Sequence, residues 1–305
     1  MAEIDPTGEQ VRLRRSGPRG EVTARIAQVG ASLRALTVGG IDIVQGYPDG
    51  ERTPSASGIV LVPWPNRVRD GRWSQHGAAE QLAVSEPKYG NASHGLLRFF
   101  PYSVDTGDAA ATLSARIFPQ SGYPFTLATS VTYALVDEGI EVTHRIRNEG
   151  DAEAPVAVGT HPFFRLGDVP TGELRLAVPG ATWFELDDRM LPVAERPVDA
   201  ATDLRGGARL ADVQLDRAYG RLARGGDGRV RNTLAAPDGR TVTVWQGEGF
   251  DYVQVFTTSG YPGTELAVAI EPMTAPADAL NSGQGLRWLA PGEDWTLSWG
   301  VTLSA

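Results

Sequence analysis

The chain has 305 residues, contains no cysteine and carries a formal net charge of −9 at pH 7. The lack of cysteine excludes disulfides, thiolate catalysis and cysteine-ligated zinc, and an acidic chain without a basic stripe argues against nucleic acid as a partner. The sequence has no run of about 18 apolar residues, and "MAEIDPTGEQ" lacks the apolar segment of a signal peptide. We therefore expect a cytoplasmic protein that does not bind a membrane.

Strand patterns follow one another along the chain. Residues 21–38 alternate apolar and polar side chains, with a bend or bulge expected at Gly30. Residues 126–136 and 139–148 are two β-rich runs joined by a short turn, which predicts a hairpin. The same alternation returns in the segments 240–258, 265–272 and 294–304.

Helical periodicity is weak throughout the sequence. The best helix candidates, residues 108–116 and 201–212, are short and fit a strand or a loop equally well. No internal repeat and no low-complexity linker divides the chain. We therefore predict an all-β fold, a large antiparallel β-sandwich in which residues 1–305 form a single domain. A cleft on one sheet of such a fold collects residues that are distant in sequence.

Four segments interrupt the strand pattern and combine polar head groups with proline and aromatic neighbours. This combination is typical of sugar sites, where apolar rings contact the C–H face of the sugar and a few polar groups bind its hydroxyls. The segments are "LVPWPNRVRDGRW" (61–73), "GNASHGLLRFFPY" (90–102), "VGTHPFFRLG" (158–167) and "AIEPMTAPADALNSGQG" (269–285).

The four histidines fall into two groups. His144 lies within a predicted strand and is interpreted as a structural side chain, and His76 lies in a turn and is expected to be exposed. His94 precedes a glycine and His161 precedes a proline, each inside one of the four segments. A structural role and a proton-transfer role remain open for both of these histidines.

Three charged residues also have both a structural and a functional interpretation. Glu271 ends an apolar strand, so it either marks the exit to solvent or is a base whose pKa is tuned by burial. Arg67 either forms an ion pair with Asp70 or another surface acid, or contacts a ligand. Asp216 either caps a turn or accepts hydrogen bonds from a ligand.

Together these segments resemble the aldose 1-epimerase (galactose mutarotase) family. "NRVRDGRW" is similar to the family's Asn-Arg loop, "HGLLR" to its first histidine motif and "GTHPFF" to its second. "EPMTAPADALNSG" is similar to the Glu-Pro segment of the base, and "LAPGE" to the turn after it. These motifs follow one another in the same order as in the family, from about residue 22 to residue 300. "HGLL" and "DRAY" depart from the family pattern, which leaves the choice of substrate and the role of Asp216 open.

The resemblance implies a mutarotase-like sandwich and a cofactor-independent, metal-free isomerase, a monomer or homodimer, acting on a monosaccharide. Mutarotation opens a hemiacetal ring and closes it on the other face, which needs one base and one acid. The residues implied are Glu271 as base, His161 as acid, His94 near the ring oxygen, and Asn66, Arg67 and Asp216 at the hydroxyls. We also expect the Glu271 carboxylate to raise the pKa of His161.

Two other interpretations of the sequence remain. The substrate is a hexose 6-phosphate or another modified sugar if Arg67, Arg69, Arg72 or Arg98 supplies a phosphate site. Alternatively, the chain is a non-catalytic carbohydrate-binding sandwich. Asp70 is expected to pair with Arg67 or Arg69, which favours a free aldohexose.

Overall fold

The structure is a computed structural model that describes residues 5–75 and 77–304, so the expectation for His76 lies outside the described residues. Regular structure is almost entirely antiparallel β. The strands are β1 (Gln10–Gly17), β2 (Gly20–Ala27), β3 (Ser32–Val38), β4 (Ile41–Asp42), β5 (Val60–Leu61), β6 (Arg67–Arg69), β7 (Arg72–Gln75), β8 (Ala78–Gln81), β9 (Asn91–Ser93), β10 (Ser103–Thr106), β11 (Ala110–Ile117), β12 (Leu127–Val136), β13 (Gly139–Asn148), β14 (Ala154–Val156), β15 (Gly159–Thr160), β16 (Phe163–Phe164), β17 (Arg175–Ala177), β18 (Gly180–Leu186), β19 (Pro192–Pro197), β20 (Ala208–Arg209), β21 (Asp216–Leu222), β22 (Val230–Ala235), β23 (Thr241–Gln246), β24 (Tyr252–Thr258), β25 (Ala267–Met273), β26 (Arg287–Leu289) and β27 (Asp294–Ser304).

In the part of the chain that the structure describes, helical structure is limited to single turns. The α-helix α1 spans Ala279–Ser282, and 3₁₀ turns occur at Pro54–Ala56, Thr171–Glu173 and Leu210–Asp212. Within the described ranges, no helix has the length and apolar character needed to cross a bilayer.

Two large sheets form the sandwich. One has nine strands in the order β10-β11-β12-β13-β27-β23-β22-β17-β20, and the other has the order β19-β18-β21-β24-β25-β15-β5, with β16 also pairing with β25. Strands β1 to β4 make a smaller third sheet. One hydrophobic cluster, running in sequence from Val11 to Leu303, takes side chains from all three sheets. The predicted antiparallel sandwich is confirmed, while the single domain over residues 1–305 stays a prediction.

The predicted strands are present where the alternation indicated them. Strands β2 and β3 pair around Gly30, which has φ +68° and where a Cβ would come within 2.7 Å of the Arg98 carbonyl oxygen. Strands β12 and β13 form the expected hairpin. Of the ambiguous helix candidates, residues 108–116 lie mostly in strand β11, and residues 201–212 contain only β20 and one 3₁₀ turn.

Alternation along β24 and β25 gives the eight-stranded sheet two chemically different faces. Val253 and Val255 belong to the main core cluster, so the side chains between them project to the opposite face. The register pairs Gln254 with Glu271 and Phe256 with Ala269, which puts these four residues together on that opposite face. A polar site therefore lies on the outer side of a sheet whose inner side is hydrophobic core.

Candidate active site

A cavity of 250 Å³ opens on this outer face, and all six residues predicted from the motifs line it. Strands β21, β24 and β25 supply part of the lining, and the loops beside β6, β9 and β15 supply the rest. Four further residues complete the wall. The ten lining residues are Ser55, Ala56, Asn66, Arg67, His94, His161, Asp216, Gln254, Phe256 and Glu271.

Glu271 is placed by strand register rather than by its loop. It lies opposite Gln254 on β24, and Phe256, two residues further along β24, lies opposite Asp216 on β21. The Glu271 side chain is 2% exposed, so the alternative in which it marks an exit to solvent is wrong. Three adjacent strands thus aim two carboxyl groups and one amide at the same small space.

Backbone and ring contacts fix the position of His161. Its N–H donates to the Ile59 carbonyl at 3.1 Å, and its own carbonyl accepts from the Gly58 N–H at 2.7 Å. The imidazole stacks on Phe163 with 5.3 Å between ring centroids and 30° between planes. Phe164 points into the main core instead. Of the two phenylalanines that follow the Pro162 position, only Phe163 therefore supports the imidazole.

His94 is positioned by a strained turn. Its φ is +62°, and its N–H donates to the Asn66 carbonyl at 2.8 Å. Gly95 follows with φ +73°, and a Cβ there would come within 2.1 Å of the Val62 carbonyl oxygen. The glycine of the "HGLL" motif is therefore required by close backbone approach. The two cavity histidines meet edge to face with 5.6 Å between ring centroids.

His161 and Glu271 are in direct contact, with 3.3 Å between Nε2 and Oε1. Burial raises the pKa of Glu271 well above its usual range, and the nearby charge of Asp216 acts in the same direction. Burial lowers the pKa of His161 to about 4, and the positive charge of Arg67 adds to that effect. The expectation that Glu271 would raise the pKa of His161 is wrong, because the loss of hydration dominates in this cavity.

The pair nevertheless combines a proton donor with a proton acceptor. Burial therefore favours the neutral form of each group, the carboxylic acid of Glu271 and the imidazole of His161. Burial also lowers the pKa of His94 well below its usual range, with the His161, Arg67 and Arg98 charges contributing. A carboxyl group and an imidazole in direct contact in a buried site are equipped for coupled proton transfer.

A chain of hydrogen bonds connects the polar residues of the wall. Gln254 donates to Asp216 Oδ1 at 2.7 Å, and Asn66 donates to Gln254 Oε1 at 3.5 Å. Arg67 Nη1 donates to Asn66 Oδ1 at 3.3 Å, and its Nε and Nη2 donate to Glu86 at 2.7 and 2.9 Å. The side chains that face the cavity are therefore held in place before any ligand binds.

The ion pairs near the site differ from the expected ones. Asp70 pairs with Arg189 at 2.8 Å, not with Arg67 or Arg69. Arg69 lies 3.4 Å from Asp187 and 3.6 Å from an oxygen of Asp278. The predicted pairing was wrong because a residue 119 positions away reaches Asp70 across the fold. Among the described residues that line the cavity, Arg67 is the single arginine.

Four of the ten lining residues have left-handed backbone conformations although none is glycine. The φ angles are +46° at Ser55, +57° at Ala56, +54° at Asn66 and +62° at His94. Asparagine and histidine adopt this region more readily than most residues, whereas serine and alanine rarely do. Such residues cluster at functional sites, where the surrounding structure holds them in place.

The motifs did not predict four lining residues, Ser55, Ala56, Gln254 and Phe256, or the position of Glu86 behind Arg67. Gln254 alternates with two core valines in "DYVQVFTT", so the sequence pattern places its side chain on the face opposite to the core. Nothing in the sequence shows that its neighbour across the strands is Glu271, and nothing marks Glu86 as the partner of Arg67.

Size alone would not identify this cavity. Surface hollows of 440, 920 and 760 Å³ occur elsewhere, but their linings contain no histidine and no buried carboxyl group. Within the described ranges, no cluster of three or more histidine, aspartate or glutamate side chains has the arrangement of a metal site. His144 is separate from the cavity: it is 1% exposed and accepts a hydrogen bond from Trp299 at 3.0 Å, as expected of a structural histidine.

Comparison with known sequences gives two results. The sequence model of the family described as Aldose 1-epimerase matches residues 15–302. The chain is also 29% identical over 285 residues to YihR of Escherichia coli K12, a protein described as uncharacterized, and the match covers 92% of this chain and 90% of that protein.

Solved structures agree in fold. A galactose mutarotase-like protein from Clostridium acetobutylicum superposes with a TM-score of 0.84 and 17% identity, covering 97% of this chain and 96% of that one. A GalM/aldose epimerase homologue from C. elegans superposes with a TM-score of 0.82 and 18% identity, covering 97% of this chain and 99% of that one. Galactose 1-epimerase from Lactobacillus acidophilus superposes with a TM-score of 0.77 and 16% identity, covering 97% of this chain and 98% of that one.

Proposed function

Since the chain belongs to the aldose 1-epimerase family, we propose that it interconverts the α and β anomers of a free aldohexose by opening and closing the sugar ring. The observation that carries this proposal is the 3.3 Å contact between His161 and Glu271 inside a 250 Å³ cavity. Ring opening needs one group to take a proton and another to give one, and this pair supplies both.

In the proposed reaction Glu271 removes the proton of the C1 hydroxyl while His161 protonates the ring oxygen. The C1–O5 bond breaks and C1 becomes a carbonyl carbon. After rotation about C1–C2, the two proton transfers run in reverse and close the ring on the other face. The carboxylate–imidazolium form that these roles require is reached when the proton of the pair moves from Glu271 to His161 across their contact, so solvent need not supply a proton.

The other polar residues hold the sugar in the proposed complex. The His94 ring lies at right angles to that of His161, where it can hydrogen-bond close to the ring oxygen. Asn66, Arg67 and Asp216 bind hydroxyl groups. Phe256, which meets the His161 ring edge to face at 6.4 Å between centroids, offers an apolar surface to the C–H bonds of the sugar.

A free sugar fits the charge of the cavity better than a phosphorylated one. Arg67 is the only arginine of the lining, and Glu86 already neutralises it. Asp216 and Glu271 add two carboxyl groups to the same space. A phosphate dianion needs charge-assisted donors that are not already paired, so we assign the substrate to the uncharged aldoses. We further propose a cytoplasmic enzyme that needs no cofactor.

The test is polarimetry of freshly dissolved α-glucose and α-galactose with and without the protein. We expect mutarotation to reach equilibrium faster than in buffer, in proportion to the protein concentration. Glu271→Gln at the same concentration is the matched control. If no common aldose were accelerated while sugars still bound, the chain would be a non-catalytic carbohydrate-binding protein.

A further inference from the structure

Arg67 and Glu86 form an ion pair at the wall of the cavity, outside the proton-transfer pair. Two parallel hydrogen bonds of 2.7 and 2.9 Å join the guanidinium to both carboxylate oxygens. The side chains are only 14% and 23% exposed. Pairs on the protein surface are much more open; in the forked pair of Arg116 and Glu149, for example, the arginine is 59% exposed. Partial burial makes the Arg67–Glu86 pair stronger and less sensitive to salt.

The turn that carries Glu86 is fixed at both of its ends. Glu86 N–H donates to the Asn91 carbonyl at 3.0 Å, and the Glu86 carbonyl accepts from Gly90 at 3.0 Å. Arg189, from the hairpin of β18 and β19, donates to the carbonyls of Tyr89 and Gly90 at 2.9 Å each. The carboxylate is therefore presented to Arg67 by a rigid turn rather than by a mobile surface side chain.

The negative charge of Glu86 affects a carboxyl group that lines the cavity. Burial raises the pKa of Asp216, and the Glu86 carboxylate pushes it further in the same direction, against Arg67 and Gln254. Glu86 itself does not line the cavity. It therefore acts on the cavity through its field and through the position of Arg67, without a contact of its own with a ligand.

We propose that Glu86 determines selectivity: it makes the cavity accept uncharged sugars and disfavour anionic ones by neutralising Arg67. This inference rests on the proposed function, because it concerns the sugar that occupies the same site. An anionic sugar would meet an arginine whose charge is already compensated and two further carboxyl groups. An uncharged sugar needs only the remaining N–H donors of Arg67.

The test compares glucose with two anionic analogues, glucuronate and glucose 6-phosphate, in the wild type and in Glu86→Gln. The amide keeps the size of the side chain and one acceptor for Arg67, but removes the negative charge. A charge-assisted bond to the released guanidinium is worth roughly tenfold to a hundredfold in affinity. We therefore expect the ratio of kcat/KM for the anionic sugars to that for glucose to rise at least about tenfold, mainly through KM.

Glu149→Gln is the matched control, because it breaks a forked arginine pair of the same chemistry on the exposed surface. It should leave the ratio unchanged. High salt should reduce the gain of Glu86→Gln for the anionic sugars, since that gain is electrostatic. The inference is overturned if the ratio in Glu86→Gln stays within about twofold of the wild-type ratio, or if Glu149→Gln changes it equally.

Calorimetry with the same three sugars separates this inference from the proposed function. Lack of catalysis with glucose in the wild type contradicts the proposed function alone, because the binding ratio between glucose and glucuronate still measures selectivity. If the wild type binds glucuronate as well as glucose, the inference fails even when mutarotation is fast. Thermal melting of both variants shows whether either change acts through unfolding.

Discussion

Replacing Glu271 with glutamine changes one proton-binding group and little else. The carboxyl group is 2% exposed, and the amide has nearly the same volume, so the cavity should keep its shape. The variant loses the carboxyl group that contacts His161 Nε2 at 3.3 Å and that can bind and release a proton there. Any loss of rate therefore reports on proton transfer rather than on packing.

The size of the expected loss of rate follows from the role proposed for Glu271 as general base. A positioned general base contributes about 10²- to 10⁴-fold, which at about 1.4 kcal/mol per factor of ten is a barrier increase of about 3 to 5 kcal/mol. KM should change much less, because the variant keeps Asn66, Arg67 and Asp216, the residues proposed to bind the hydroxyls. His161→Asn should have a loss of similar size. The double variant should lose less than the sum, because the two groups act as one unit.

Stability provides an internal check with a definite sign. The pKa of Glu271 is raised in the folded state, so the stability it contributes is fully present below its unfolded pKa of 4.5 and is lost as the pH rises through the folded value. Glutamine has no such loss. The free energy of unfolding of Glu271→Gln should therefore improve relative to wild type as the pH is raised.

Polarimetry gives the rate and thermal melting gives the stability. If Glu271→Gln kept a kcat near that of the wild type, the base would have to be another group, with Asp216 the first to test. If the variant melted much lower than wild type at every pH, the loss of rate would reflect damaged packing and the reasoning from proton transfer would be refuted.

The other predictions concern pH, stability, substrate contacts and metals. The acid limb of kcat/KM should lie near pH 4, because burial lowers the pKa of His161 to about that value and a second proton on the pair leaves Glu271 unable to act as a base; a midpoint near 6.5 in stopped-flow polarimetry would contradict this. Burial lowers the pKa of His144 to about 3, so the stability it contributes is present above its unfolded pKa and is lost as the pH falls. By pH 4.5 the loss is about 3 kcal/mol, and denaturant titrations should show that His144→Gln flattens this dependence. Arg67→Ala should raise KM for a free aldose about tenfold to a hundredfold, whereas Arg69→Ala should change it less than about threefold in the same assay. Exhaustive chelation should leave the rate unchanged, because the proposed steps are proton transfers alone; a loss that zinc or manganese restores would overturn that mechanism.

Sequence patterns predicted the local structure well because alternation and turn residues act over short distances. They gave the β2–β3 turn at Gly30 and the β12–β13 hairpin. They could not give the order of strands in either large sheet, since that order depends on which hydrophobic faces pack together over hundreds of residues. The two helix candidates were ambiguous because short amphipathic runs fit both periodicities.

Cavity residues that belong to a sequence motif were predicted. Cavity residues that are brought there only by the pairing register of two strands were missed. His94, His161 and Glu271 lie in recognisable segments. Gln254 becomes part of the site only because β24 pairs with β25 in one register. The direction of the His161 pKa shift was also misjudged, because the family resemblance indicates a nearby carboxylate but does not show how deeply the ring is buried.

The left-handed residues of the cavity wall have a consequence for adaptation to heat. Each non-glycine residue in that region costs on the order of 1 kcal/mol or more, and Ser55 and Ala56 are consecutive. Glycine at these positions would relieve the cost but would loosen the wall, because glycine restricts the backbone least. Selection for a higher melting temperature and selection for a sharply shaped cavity therefore oppose each other at this turn. Substitutions that raise the melting temperature and keep the shape of the cavity should therefore lie outside the turn at Ser55 and Ala56.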